Sequence, residues 1–279
     1  MNLNYKYSIM NKKYLDGIDV IYWINLDRAT DRKEKMEKLF QDPVFEGIKI
    51  IRISALDGTK ENPRLKFKLE RMHDIANVNY DKRDNEYAIL YSHLNTIRTF
   101  SNTDYKNALI VEDDLSLDYK KYWKKSIQEV IDNAPKDWEI LKLNSFAGKI
   151  HTKLYTLWHT FILKLPKHIR PENKKWMSSL LTGDFCSNGY VIHNNAAKSL
   201  MHRLYHHGKY EISNTYIHAS DVLIFNELKT YIYKYPFFTY DDNNISYNTK
   251  APYYLNVYKQ KITNNMYKKL NKTRKIKHI

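Results

Sequence analysis

Between Asp19 and Leu143, short β-branched and aromatic runs alternate with segments of helical periodicity, which restricts the chain to a layered α/β architecture. Asp19 to Leu26 (DVIYWINL) has the length and composition of a buried strand and stops at a charged segment. From Thr30 to Phe40, the apolar residues Met36, Leu39 and Phe40 fall on one side, as on a surface helix whose first turn Thr30 can cap. Ile48 to Ser54 (IKIIRIS) reads as a second strand, followed by the turn Ala55-Leu56-Asp57-Gly58, with Gly58 supplying any positive φ it requires. Glu86 to Asn102 places Leu90, Leu94 and Ile97 on one helical stripe, and Ser92 and His93 ride on the same helix. Ala108 to Val111 is a fully apolar strand. Trp123, Ile127, Val130, Ile131 and Ala134 then recur at helical spacing up to Pro135, and Trp138 to Leu143 (WEILKL) is a further strand. The expectation is a mostly parallel sheet flanked by helices.

The second half is less regular. His151 to Lys175 mixes alternating apolar residues with a basic cluster and reads as loops or a hairpin inserted into the sheet. Gly189 to Ile192 reads as a strand, Asn195 to His207 as a helix capped by Asn194 or Asn195, Ser220 to Leu228 as a helix, and Tyr231 to Phe238 as a strand. The net charge of +15 is concentrated at the end: nine Lys and Arg and no acidic residue follow Asp242, leaving +6 for residues 1–242. The chain therefore divides into an N-terminal extension (1–17), a folded domain (18–242) and a basic tail (243–279) suited to non-specific contact with polyanions. One cysteine, Cys186, excludes an intramolecular disulfide and reads as a small buried hydrophobe. No apolar run approaches the ~18 residues of a membrane span and no secretory signal opens the sequence, so the expectation is a soluble, intracellular, cytoplasmic protein. Without such a signal, Asn244-Ile245-Ser246 and Asn271-Lys272-Thr273 are chance sequons of an Asn-rich chain. The abundance of Tyr, Lys, Asn and Ile fits an A/T-rich genome, a microbe or a large DNA virus, in which case the location is the host cytoplasm.

The chemistry concentrates at Glu112-Asp113-Asp114, at the C-terminal end of an apolar strand, where open α/β sheets bind ligands. Three adjacent carboxylates repel one another and need a cation or hydrogen-bond donors to compensate. Two readings fit: a hard divalent ion held with a substrate diphosphate, or a capped turn whose acids serve a following helix. Asn25-Leu26-Asp27-Arg28, with Arg32 shortly after, lies at another strand end, and arginine suits charge-assisted contact with phosphate.

Taken in order, INLDRATDR, SALDG, AILYSHL, ALIVEDD and WEILKLN resemble the signature of glycosyltransferase family 25, which includes bacterial lipooligosaccharide galactosyltransferases and collagen hydroxylysine glycosyltransferases. The resemblance covers residues 18–240 and implies a GT-A-like, Rossmann-like fold. It also implies a UDP-sugar donor, Mn²⁺ or Mg²⁺, and inverting transfer of galactose or glucose to a glycan or collagen-like acceptor. By position, Glu112, Asp113 and Asp114 correspond to the acidic metal motif, with Asp114 the first choice for direct ligand. Asn25, Leu26 and Arg32 correspond to the nucleotide-contact strand, Ala55, Asp57 and Gly58 to the block after the second strand, and Ser92-His93 to the helix motif. The segment Asn188-Gly189-Tyr190-Val191-Ile192 is similar to the family's glycine-aromatic-apolar strand, although its glycine-rich lead is reduced to Cys186-Ser187-Asn188-Gly189. Asp221 matches a later acidic position and is the candidate general base, or else the N-terminal acid of a helix. Competing readings are a nucleic-acid-binding protein using its tail and tyrosines, a metal-dependent nucleotide-sugar or phosphate-ester hydrolase, and an inactive binding module.

Overall fold

The computed structural model describes residues 13–69, 80–144, 168–169, 187–212, 219–233 and 236–240. The first twelve residues, nearly all of the 151–175 stretch, Cys186, both sequons and the basic tail lie outside the described residues. The elements run β1 (Val20–Asn25), α1 (Thr30–Leu39), β2 (Lys49–Ser54), β3 (Phe67–Leu69), α2 (Tyr80–Ser101), β4 (Asn107–Glu112), β5 (Leu115–Ser116), α3 (Ile127–Asp132) and β6 (Ile140–Lys142). They continue with β7 (His168–Ile169), β8 (Tyr190–His193), α4 (Asn194–Leu204), β9 (Tyr205–His206), β10 (Lys209–Ile212), α5 (Ser220–Glu227), β11 (Thr230–Tyr233) and β12 (Thr239–Tyr240).

Among the described residues, seven strands form the main sheet in the order β2-β1-β4-β8-β6-β11-β7. Strand β1 pairs in parallel with β2 and β4, and β6 with β11, whereas β8 runs antiparallel to both β4 and β6, and β7 antiparallel to β11. Five of the seven strands thus point one way, the mostly parallel α/β sheet expected from the sequence. Period-2 alternation splits its side chains between two cores. Tyr22, Ile24, Ile110, Ile140, Tyr190 and Ile192 pack on one face with Leu90, Leu94 and Ile97 of α2, Leu200 of α4 and Ile224 of α5. Ile21, Trp23, Leu109, Val111, Leu141 and Val191 pack on the other with Met36 of α1 and Ile127 and Val130 of α3. Buried on both sides, β1 needs the unbroken apolar run that its sequence shows.

Several local expectations are corrected. Helix α1 takes Ala29 as its N-cap with no side-chain cap hydrogen bond, because Thr30 is already the first helical residue. Gly58 has no positive φ; a Cβ there would lie 3.2 Å from the Asp84 carbonyl and 3.3 Å from Ala88 Cβ, so its smallness lets the turn approach α2. Trp123 precedes α3 rather than joining it: Ser126 and Glu129 form a capping box, and the Trp123 indole donates to the Phe237 carbonyl. His193, not an asparagine, caps α4 by accepting from the Ala196 N–H, while the Asn194 amide donates to the carbonyls of Phe100 and Thr103. Helix α4 also ends three residues early, at Leu204, because Tyr205 and His206 turn back through His207 (φ 49) and Gly208 (φ 80) into β10. Two consecutive positive φ values are what a type I′ hairpin requires. The strand expected over 231–238 is broken: β11 ends at Tyr233, and after Pro236, which has no N–H for a ladder, β12 pairs with β5 in a separate sheet.

Candidate functional site

The parallel strands β1, β2 and β4 end together, and the antiparallel β8 brings its beginning to the same edge. Residues far apart in sequence therefore converge there. Asp113 is buried and has both oxygens engaged, accepting from Arg32 Nη1 at 2.6 Å and Asn25 Nδ2 at 2.8 Å. Asn25 accepts in turn from Arg52 Nη2 at 2.8 Å, and its carbonyl takes the Ala55 N–H at 2.9 Å. Arg52 continues to Asp27 at 2.6 Å, and Arg28 pairs with Asp57 at 2.8 Å on the exposed rim. Leu26 turns the chain into α1, its carbonyl accepting from the Ala29 N–H.

A second chain of contacts serves Glu112. Its Oε1 lies 3.2 Å from His93 Nε2 and accepts from the Ser187 hydroxyl at 2.6 Å. His93 Nδ1 is 3.1 Å from the Tyr190 hydroxyl, and Ser187 Oγ is 3.0 Å from Ser220 Oγ, at the first residue of α5. Asp221 follows in the first turn of that helix. Asn188 ties Glu112 to Asp114, donating from its side chain to Asp114 Oδ1 at 2.6 Å and accepting from the Glu112 N–H at 2.9 Å. Gly189 makes this approach possible: its φ is +82° and a Cβ would lie 3.3 Å from both Asn144 Cβ and Phe238 Cδ2. Next to His93 on α2, the Ser92 hydroxyl accepts from the Leu56 N–H at 3.0 Å, fixing the 55–58 turn against the helix.

The carboxylates are electrostatically distinct. Burial, with the charges of Glu112 and Asp113 adding to it, pushes the Asp114 carboxyl up to about 7. Burial also disfavours the Glu112 carboxylate, but the His93 hydrogen bond and charge, the Ser187 hydroxyl and Arg32 outweigh it and hold Glu112 below its ordinary value. Asp221 is raised chiefly by burial; Lys142 works against that rise and Glu112 adds to it.

The structure thus assembles Asn25, Arg32 and Asp113 into one cluster, Glu112 and His93 into another, and Asp114 with Asn188 and Gly189 into a third, all at one sheet edge. Ala55, Asp57, Gly58 and Ser92 line its β2 side, where Asp57 also accepts from the N–H and hydroxyl of Thr59. Sequence reasoning passed over Ser187, Ser220, Tyr190, Arg52 and the buried Lys142 as site residues. Tyr190 lies inside the block Asn188–Ile192, Ser187 inside its lead Cys186–Gly189 and Lys142 inside WEILKLN, but nothing in those segments singles the three residues out.

Among the described residues, no group of three His, Cys, Asp or Glu side chains is arranged to hold a metal ion by itself. Asp113, with both oxygens engaged, is committed to the protein. Asp114 has one side-chain donor, Asn188, and a raised carboxyl whose negative form a cation would favour. That donor set suits a hard ion that takes one or two carboxylates and completes its shell with substrate phosphates.

Over residues 18–224 the chain matches the family described as Glycosyltransferase family 25 (LPS biosynthesis protein). It is also similar to procollagen galactosyltransferase 2 of Homo sapiens, at 28% identity over 207 residues, which are 70% of this chain and 30% of that protein. The chain thus matches less than a third of that relative's length. Every carboxylate described above lies within the matched segment. No helix among the described residues is long and apolar enough to cross a membrane.

Proposed function

The chain belongs to glycosyltransferase family 25, and on that premise we propose that it moves a hexose from a UDP-sugar to a hydroxyl acceptor with inversion, aided by Mn²⁺ or Mg²⁺. The observation that carries this reading is Asp114, a carboxyl raised to about 7 at the ends of the parallel strands. It sits beside an arginine-bearing edge where a diphosphate can lie. Asp114 is the carboxylate suited to hold the cation, and a bound divalent ion would act as Lewis acid toward the departing diphosphate.

The remaining steps belong to this chain's own groups. Asn188 orients the Asp114 carboxylate, and Arg32 and Asn25 lock Asp113 so that the strand end keeps its shape. His93 and Ser187 hold Glu112 in its charged form. Arg28 and Arg52, on the rim of β1 and β2, lie where the nucleotide end of the donor would rest. Asp221 accepts the proton of the acceptor hydroxyl as that oxygen attacks the anomeric carbon; a carboxylate raised by burial is a stronger base than an exposed one. Likeness to a protein named procollagen galactosyltransferase supports galactose as the donor sugar and a collagen-like protein as the acceptor, and the family's description as LPS biosynthesis protein supports a glycan as the other acceptor class.

The test is incubation of the purified protein with UDP-galactose and UDP-glucose in Mn²⁺ or Mg²⁺, following UDP release with glycan and hydroxylysine-peptide acceptors. Metal-dependent release that rises with acceptor is the expected result. Undiminished transfer in excess chelator would remove the cation from the proposal, and release that never responds to acceptor would favour a hydrolase.

A further inference from the structure

Lys142 is the last residue of β6 and only 1% exposed, which is rare for lysine unless its charge is put to use. Three strands place it on the same face of the sheet as Glu112. Tyr190 stands directly opposite both Ile110 and Lys142, and Glu112 is two residues beyond Ile110 on β4. Helix α5 covers that face. Lys142 Nζ lies 4.6 Å from the centre of the Phe225 ring, and the same ring meets Tyr190 edge-on at 5.5 Å. Phe225 is one helical turn after Asp221, so both side chains share one face of α5.

We infer that Lys142 is a positioning residue for transfer, its buried ammonium held over Phe225 as the counter-charge against which the Asp221 carboxylate is set. The inference rests on Asp221 being the base. Lys142 on β6, Glu112 on β4 and His93 on α2 act on Asp221, and Tyr190 on β8 meets His93 and the Phe225 ring. Burial and Glu112 oppose ionisation of Asp221, while Lys142 and, more weakly, His93 favour it. A purely structural filler would not need the charge, since methionine matches the length of the lysine stem and avoids burying an ion.

The experiment compares Lys142→Met, Lys142→Arg, Asp221→Asn and the Lys142→Met/Asp221→Asn double variant in the full chain. It measures kcat, KM for donor and acceptor, UDP affinity, melting temperature and the pH profile of kcat. The expected result is that Lys142→Met lowers kcat roughly tenfold to a hundredfold and moves the acidic limb to higher pH. UDP affinity and melting temperature should hold, Lys142→Arg should recover part of the rate, and Lys142→Met should cost little more in the Asp221→Asn background. If Asp221→Asn is inactive but Lys142→Met leaves kcat and the acidic limb in place, the inference falls and the base assignment stands. Collapse of UDP affinity in Lys142→Met would make Lys142 a donor-binding residue and overturn it too. Near-normal transfer by Asp221→Asn overturns both. Should Lys142→Met fail to fold, Lys142→Arg is judged by the same limb and the same split between kcat and KM.

Discussion

The adjacent residues Asp113 and Asp114 occupy opposite situations, and substitution should separate them. Asp113 and Arg32 form a buried ion pair, with side chains 11% and 10% exposed. Arg32→Met strands a charged carboxylate and should cost ~3–5 kcal/mol of stability, whereas adding Asp113→Asn should restore much of it; denaturant unfolding of the two variants checks this. Asp114→Asn should abolish transfer and leave the fold intact. Its stability effect has a definite sign. The folded-state value of about 7 lies above the ordinary 3.8, so the native state holds this proton more tightly than the unfolded chain. The cation-free protein therefore loses stability as pH rises from 3.8 to about 7, where only the unfolded chain is ionised, and recovers it as pH falls back across that window. Melting temperature measured without divalent ions should fall from about pH 4 to about pH 7 and level off above that in the wild type, and this fall should flatten in Asp114→Asn. Glu112 acts in the opposite sense, contributing stability at neutral pH that disappears in acid.

The segment leading into β8 delivers Ser187 and Asn188 to the carboxylates, and Gly189 is its critical point. Gly189→Ala combines a positive φ with contacts at 3.3 Å, whereas Gly47 (φ +78) has nothing within 4 Å of a Cβ. Gly47→Ala should cost only the ~1–2 kcal/mol of left-handed backbone; Gly189→Ala should cost more and also reduce transfer, and paired unfolding and activity measurements would isolate the packing contribution. The strand ends Asn25 and Glu112–Asp114 were legible because apolar runs stop there at charged residues, and α2 because Leu90, Leu94 and Ile97 keep one stripe. The reversal of β8 was not legible, since a short apolar strand reads alike in either direction. The partners of Glu112 were hidden for a different reason: Ser187 is 75 positions away and has no periodicity to mark it. Trp123 misled because its spacing imitates a helix that begins only after Ser126.

At the scale of the molecule, nine of the +15 charges follow Asp242, beyond the last described strand at Tyr240. Truncation after residue 242 should therefore weaken retention on heparin in a salt-dependent way while leaving melting temperature and donor turnover unchanged, screening acting over ~8 Å at physiological ionic strength. Lost turnover would show that the tail serves the site. Between β6 and β8 the chain visits the far edge of the main sheet, where β7 pairs with β11, and the two ends of that excursion lie close together: Leu143 N–H donates to the Gly189 carbonyl at 2.8 Å, and a Cβ on Gly189 would meet Asn144. Whatever length of chain lies between them begins and ends at the same socket. In evolutionary terms the stretches on either side of β7 accept insertions and deletions cheaply, because each doubling of a loop costs only ~0.6 kcal/mol of closure entropy. Descendants of this chain can therefore change length on either side of β7 without moving a carboxylate at the sheet edge.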